Sequence, residues 1–317
     1  MKKLSSYLFI PLIMVLVASC SQGYHKTKSG LLYKIISDGK GQAVKKGDFL
    51  KFDFVQKVHD SVLRTTYGSV PAYSVVDSVK PTYDPTEIFI NLHKGDSAVV
   101  VIMVDTLVRK FGGQLPPFLK KHDKIFLSLK VSDVFTSKDA VDKDREAERQ
   151  KEVAKDDKAV SDFLATNKIN ASKTAKGTYV VVQNQGDGPA ADSGKQVCLF
   201  YTGKSMFTGK VFESNITGPR KDTLKFVVGR KGMIPGMDDG IRLFKKGGKG
   251  ILYIPGVLAY DAQNGPTGKP YEDLIFEINV VDVTEAPKEV ARNPAQTLSP
   301  QQLQALKDRM QKNPNGK

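Results

Sequence analysis

The chain has 317 residues, 40% of them apolar, with no tryptophan, which suits two ordinary domains. Its 48 lysines and arginines against 34 acidic residues give a net charge of +14, a balance that could serve nucleic acid or anionic headgroups. No zinc-finger cysteines, arginine-rich helix or interleaved aromatic and basic stripe accompany it, so no nucleic-acid partner is expected and the lysines read as a solvated surface.

Residues 1–19 read as a signal peptide. Lys2 and Lys3 precede an apolar run from Leu8 to Val17, followed by small residues. The run is too short for a dedicated membrane span. The stretch "VASC", Val17 to Cys20, resembles the bacterial lipobox. That resemblance implies cleavage before Cys20 and acylation of its thiol and new amine. Several acyl chains on one residue would anchor the chain stably, at about 0.8 kcal/mol per buried methylene. Residues 20–28 are then a lipidated N-terminal tether. The implied location is the bacterial cell envelope, lipid-anchored, with a periplasm-facing place on the outer membrane favoured. With Cys20 acylated, Cys198 in "VCLFYTG" has no cysteine to pair with and reads as a small buried apolar residue.

Residues 29–136 and 171–285 read as two copies of one β-rich domain. At an offset of 147, "GLLYKIISDGKGQAVKKGDFLKFDF" lies over "GTYVVVQNQGDGPAADSGKQVCLFY" without gaps. Gly30, Gly39, Gly41 and Gly47 fall on Gly177, Gly186, Gly188 and Gly194, and these fixed offsets predict backbone positions needing positive φ. Phe54 falls on Tyr201. Later, "HKGDSAVVVIM" parallels "KKGGKGILYIP", and "IFLSLKVSDVF" parallels "LIFEINVVDVT", both of the latter alternating with period two. In the first copy "YDPTEIFINLHKGD" predicts a helix with Asp84 as N-cap, Pro85 at its first position and Glu87 beyond.

Residues 137–170 change character. They hold no glycine or proline and are dense in charge, which predicts a helix of about thirty residues, about 45 Å long, capped by Ser137. Arg145–Glu148, Arg149–Glu152 and Glu152–Lys155 are i, i+3 pairs of opposite sign. The apolar stripe of Val153, Val160, Phe163 and Leu164 thickens late, so the helix is expected to be solvated at its start and docked at its end. In the second copy, "KGMIPGMDDGIRLFKKGGKG" fences a short amphipathic helix with glycines. Met237, Ile241 and Phe244 share one face, and Met233 and Ile234 stand before it. Residues 286–317 read as a tail with a short helix from Pro300 to Gln311.

Five ordered motifs of the second copy, "FYTGK", "GKVFESN", "LKFVVGRKGMIPGMDDGI", "GILYIPGVLAYD" and "DLIFEINVVDV", resemble the FKBP family of peptidyl-prolyl isomerases over about 105 residues. The resemblance implies an α+β fold, a curled antiparallel sheet around a short helix, here twice and joined by the charged helix. It implies catalytic roles for Tyr201, Phe212, Glu213, Ile234 and Tyr260, and substrate-binding roles for Phe226, Met233, Met237 and Phe276. An apolar pocket that grips a proline ring and desolvates the amide favours the twisted Xaa–Pro bond over the planar one, so no cofactor is expected. His25, His59, His93 and His122 are scattered without metal-ligand spacing. Glu213 stands where the family has aspartate, Met237 where many members have tryptophan, and "AYD" replaces Ala-Tyr-Gly. These departures predict a softer pocket floor. The first copy lacks the tyrosine, the Phe-Asp segment, the Ile-Pro-Gly and the Ala-Tyr, and is expected to be inactive. Unfolded or proline-containing polypeptides are the expected partners, with a homodimer left open. A non-catalytic holdase or a protein-binding scaffold is the alternative function.

Overall fold

The computed structural model describes residues 23–77, 82–113, 115–216 and 222–287. Residues 1–19, the lipobox cysteine Cys20 and the tail helix expected at 300–311 lie outside the described residues. The chain divides into two units between Ala154 and Lys155.

The first unit is a seven-stranded antiparallel sheet. Its strands are β1 (His25–Lys26), β2 (Leu32–Ile36), β3 (Phe49–Val58), β4 (Ser61–Thr65), β5 (Ala72–Val75), β6 (Ser97–Met103) and β7 (Lys124–Phe135). They lie in the order β1-β2-β6-β7-β3-β4, with β5 also on β3. A 3-10 helix, Pro85–Asn91, packs Ile88 and Phe89 into the core. Its start is the expected one: Asp84 accepts from Thr86, and Glu87 accepts from the Asp84 amide in a capping box. An α-helix, α1 (Val104–Phe111), follows β6.

Helix α2 (Lys138–Thr166) crosses the division between the units. Ser137 caps it through the Ala140 amide. Its start is not the solvated segment expected. Val141 is buried, and Lys51 pairs with Asp144 at 2.7 Å and Glu148 at 3.0 Å, while Arg145 lies over the Tyr73 ring. The physical reason is that a charged face docks where the sheet offers a lysine and a tyrosine. The helix ends at Lys168, which takes a left-handed conformation. There Ile169 N–H reaches the Leu164 carbonyl and Lys168 N–H that of Ala165, so two otherwise open helix-end carbonyls are satisfied without a glycine.

The second unit repeats the first. Its strands are β8 (Ser172–Lys173), β9 (Tyr179–Asn184), β10 (Lys195–Ser205), β11 (Val211–Ser214), β12 (Leu224–Val227), β13 (Lys249–Ile254) and β14 (Leu274–Glu285). The order β8-β9-β13-β14-β10-β11, with β12 on β10, is the topology of the first unit. Helix α3 (Pro235–Gly240) and a 3-10 turn, Ile241–Leu243, cover the inner face. Val160 and Leu164 of α2 cover the outer face with Met206 and Tyr253. Each such buried side chain contributes about 1.5–3 kcal/mol.

The repeat extends to irregularities. The β3–β7 ladder slips between Lys51 and Phe52, and the β10–β14 ladder between Cys198 and Leu199, the matching step. Ser132 and Val281 are the extra residues. The period-two burial of the last strands therefore skips one position, from Val131 to Val134 and from Val280 to Val283. That explains why Val281 is exposed within an apolar run. Three of the four paired glycines have the expected positive φ in both copies. Gly41 and Gly188 do not. They are glycine because the chain passes too close: a Cβ would lie 1.8 Å from the Lys94 carbonyl oxygen and 2.7 Å from Lys246 Cβ.

Candidate active site

The inner face of the second unit gathers the expected aromatic set. Tyr201 and Phe226 come from β10 and β12, Phe276 from β14 and Met237 from α3, and all are buried. Phe212, Met233, Ile234 and Tyr260 are half-buried against the same cluster. The Phe276 ring centroid lies 5.8 Å from that of Tyr201 and 5.8 Å from that of Phe212, the second pair edge-on. Cys20 is the one expected site residue outside the described set.

Phe212 owes its place to a bulge. Gly203 faces Glu213 and Lys204 faces Val211, so Phe212 is the extra residue and turns toward the core. Gly203 makes room for it. A Cβ there would lie 2.6 Å from the Phe212 ring and 3.0 Å from Phe276. The sequence reading passed over Gly203, although a glycine inside an apolar strand marks a close approach.

The glycines around α3 have the same kind of explanation. Gly236 and Gly240, one helical turn apart, lie flat on β13. A Cβ would meet Ile254 at 2.3 Å and Leu252 at 2.8 Å. Thr178, wholly buried, donates to the Gly236 carbonyl at 3.1 Å. The preceding loop is held by Asp238, which accepts from the Gly229 amide at 2.6 Å and from Arg242 at 3.0 Å. Ile234 is the N-cap, its carbonyl accepting from Met237 and Asp238. Met237 is therefore a fixed floor.

Tyr260 follows a short 3-10 turn, Gly256–Leu258. That turn is held from two sides: Asp156 of α2 accepts from the Val257 amide at 2.9 Å, and Asp273 accepts from the Gly256 amide at 2.8 Å. Neither carboxylate was singled out from sequence. Asp156 was hidden in a charged run, where a buried acid looks like a solvated one.

Electrostatics keep both tyrosines as hydroxyl donors. Burial pushes the Tyr201 hydroxyl up, and its hydrogen bond to Glu213 and the nearby charge push it further. Burial and the Glu213 charge raise Tyr260 as well. Glu213 is itself exposed. Among the described residues no group of three or more His, Cys, Asp or Glu could hold a metal ion. The arrangement is an apolar cup whose wall carries the buried Tyr201 and the half-buried Tyr260 as hydroxyl donors.

The matching face of the first unit is built differently. In register, Phe54, Leu63, Ser74 and Leu127 stand where Tyr201, Phe212, Phe226 and Phe276 stand. Arg64 takes the place of Glu213 and lies over Phe54, 5.6 Å from the ring centroid.

Residues 188–281 match the profile of the FKBP-type peptidyl-prolyl cis-trans isomerase. The chain is 32% identical over 191 residues to the FKBP-type peptidyl-prolyl cis-trans isomerase FkpA of Escherichia coli strain K12, spanning 54% of this chain and 68% of that one. It is 38% identical over 101 residues to an FK506-binding protein of Streptomyces anulatus, covering 31% of this chain and 80% of that one. It is 33% identical over 117 residues to the 46 kDa FK506-binding nuclear protein of Spodoptera frugiperda, covering 37% of this chain and only 28% of that one. The chain belongs to the FKBP-type peptidyl-prolyl cis-trans isomerases, enzymes that act on proline-containing polypeptides.

Proposed function

We propose that isomerisation takes place in the aromatic cup of the second unit. The observation that carries this reading is the convergence of Tyr201, Phe212 and Phe276 in one cluster with the fixed Met237, with Tyr260 half-buried beside them. Rotation about the Xaa–Pro bond has a barrier of about 20 kcal/mol because amide resonance must be broken. Phe226, Met233 and Phe276 grip the proline ring and exclude water, supported by the wholly buried Met237. The twisted amide is less polar than the planar one and sits better in this cup, so the cup binds the transition state more tightly. The Ile234 amide holds the carbonyl that follows proline, Tyr260 donates to the substrate backbone, and Tyr201, Phe212 and Glu213 face the twisting carbonyl.

The first unit, with Arg64 in place of Glu213 and no tyrosine at Phe54, serves as a non-catalytic holding module for unfolded chains. Acylation at Cys20 would place both units at the membrane of a bacterial envelope, where the clients are envelope proteins in the course of folding. Replacing Cys20 by serine should release the protein into the soluble fraction.

The test of the site is catalysis of a proline-limited refolding reaction by the whole chain at a few per cent of the substrate concentration. Wild type should speed the slow phase, and Ile234→Asp should abolish the acceleration. Tyr260→Phe, which removes one hydrogen bond of about 1–1.5 kcal/mol, should lower kcat/KM about fivefold to tenfold. Full acceleration by Ile234→Asp would put the activity elsewhere. No acceleration by wild type, with aggregation still suppressed, would make the protein a holdase.

A further inference from the structure

Between Tyr260 and β14 the chain makes an excursion, residues 261–271. Its ends are joined by the Tyr271 amide donating to the Asp261 carbonyl at 2.8 Å, and inside it the Gly265 amide donates to Lys269 at 2.9 Å. Gly265 rests against the Tyr260 ring, where an added Cβ would lie 3.3 Å from Cδ2. Immediately after the excursion stands Glu272, a buried carboxylate to which the mechanism above gives no task. Its Oε1 accepts from Ser205 Oγ at 2.6 Å, and its Oε2 accepts from Thr267 Oγ1. Ser205 is the wholly buried last residue of β10, the strand that carries Tyr201. Thr267 lies out on the excursion.

The first unit has the same device in other side chains. Asp123 occupies the matching position, one residue further from its last strand's Ile125 than Lys124, as Glu272 is from Leu274. Its Oδ1 pairs with His59 Nε2 at 3.0 Å in the β3–β4 turn, and its Oδ2 accepts from the Lys120 amide at 2.7 Å in the excursion. In both copies one carboxylate oxygen holds the hairpin end and the other holds the excursion, although no donor is shared. In the second copy the held excursion lies against Tyr260.

We propose that Glu272 is a positioning residue for isomerisation, its link from Ser205 to Thr267 holding the excursion against Tyr260 so that the tyrosine hydroxyl stays in the wall of the cup. The proposal rests on the reading of that cup as the isomerase site. Freeing the excursion leaves the proline grip intact and loosens one substrate donor, so kcat/KM falls by no more than the loss of that donor. Double-mutant coupling separates this role from general destabilisation.

The experiment uses the whole chain and a proline-containing peptide substrate. Thr267→Val, which keeps the side-chain shape and removes the donor, should lower kcat/KM about threefold to tenfold. Thr267→Ser should restore it. Amide exchange at Gly265, Gly268 and Tyr271 should quicken in Thr267→Val. In a Tyr260→Phe background Thr267→Val should cost nothing further. Glu272→Met, which keeps the length and removes both acceptor oxygens, is the second variant and should behave as Thr267→Val does. Wild-type kcat/KM in Thr267→Val, or losses from Thr267→Val and Tyr260→Phe that multiply independently, would overturn the proposal. A wild type without isomerase activity would instead bring down the reading of the cup, and the positioning role with it.

Discussion

Gly203 shows how one missing side chain makes a pocket. In the first unit the matching residue is Gln56 and the bulged residue beside it is Leu63. In the second unit an aromatic ring occupies the space that a Cβ would need. Gly203→Ala should push Phe212 out of the cup, lowering kcat/KM about tenfold and the unfolding free energy by about 1–3 kcal/mol. Peptide kinetics beside a denaturant titration would separate the two losses. A similar exchange occurs under α3. Phe244 packs over Gly250, where a Cβ would lie 2.5 Å from the ring, whereas the first unit pairs Leu92 with Ala98. Large over small became medium over small, so the total volume changed little. The pocket aromatics were legible in the sequence because they belong to motifs with fixed spacing. Gly203, Asp238 and Glu272 were not, because their meaning depends on which atom crosses which strand.

At the scale of elements, α2 is the segment whose sequence was most misleading. Its charge predicted a helix, and the boundaries agree within a few residues. Charge alone could not tell that Asp144 and Glu148 face a lysine, or that Asp156 is buried against the turn leading to Tyr260. A fragment beginning at 171 omits Val160, Leu164 and Asp156. It should unfold at lower denaturant than one beginning at 155, and Leu164→Ala alone should cost about 2–5 kcal/mol. The other end of α2 is sensitive to acid. Burial pushes the Asp144 carboxyl up, but hydrogen bonds from Lys51 and Tyr73 and the Lys51 charge outweigh it and hold the group below its ordinary value. A hydrogen bond from Lys151, together with Lys51, outweighs burial at Glu148 and lowers it too. Carboxyls depressed in the folded state stabilise it above their unfolded pKa, about 4, and this contribution is lost as the pH falls through the folded values. The Tyr73 ring resonances should therefore be constant at pH 6 and shift below about pH 4. In Lys51→Gln that acid transition should move upward toward the ordinary carboxylate range. An unchanged transition would show that Lys51 does not hold the helix.

Across the whole molecule, one backbone plan serves two surfaces. Strand order, bulges and glycine crossings repeat, while the cup-lining side chains diverge. The duplication was readable from sequence because glycines forced by turns and crossings recur at a constant offset. The bulges were not, since an extra residue in a strand has no composition of its own. If catalysis belongs to the second unit, a chain beginning at 138 should isomerise a short proline peptide with kcat/KM within about twofold of the full chain, a difference of less than 1 kcal/mol. A larger loss would mean that the first unit takes part in the chemistry.

Cys198 adds a practical consequence. It is a buried thiol on β10, at the position where the first unit has Lys51. In a chain lacking residues 1–22 it is the single cysteine. A thiol reagent then reads the opening of one unit and is blind to the other, because a buried thiol reacts only when its strand is exposed. The labelling rate of that sulfur becomes a built-in clock for the second unit, and a client that binds only the first should leave the clock unchanged.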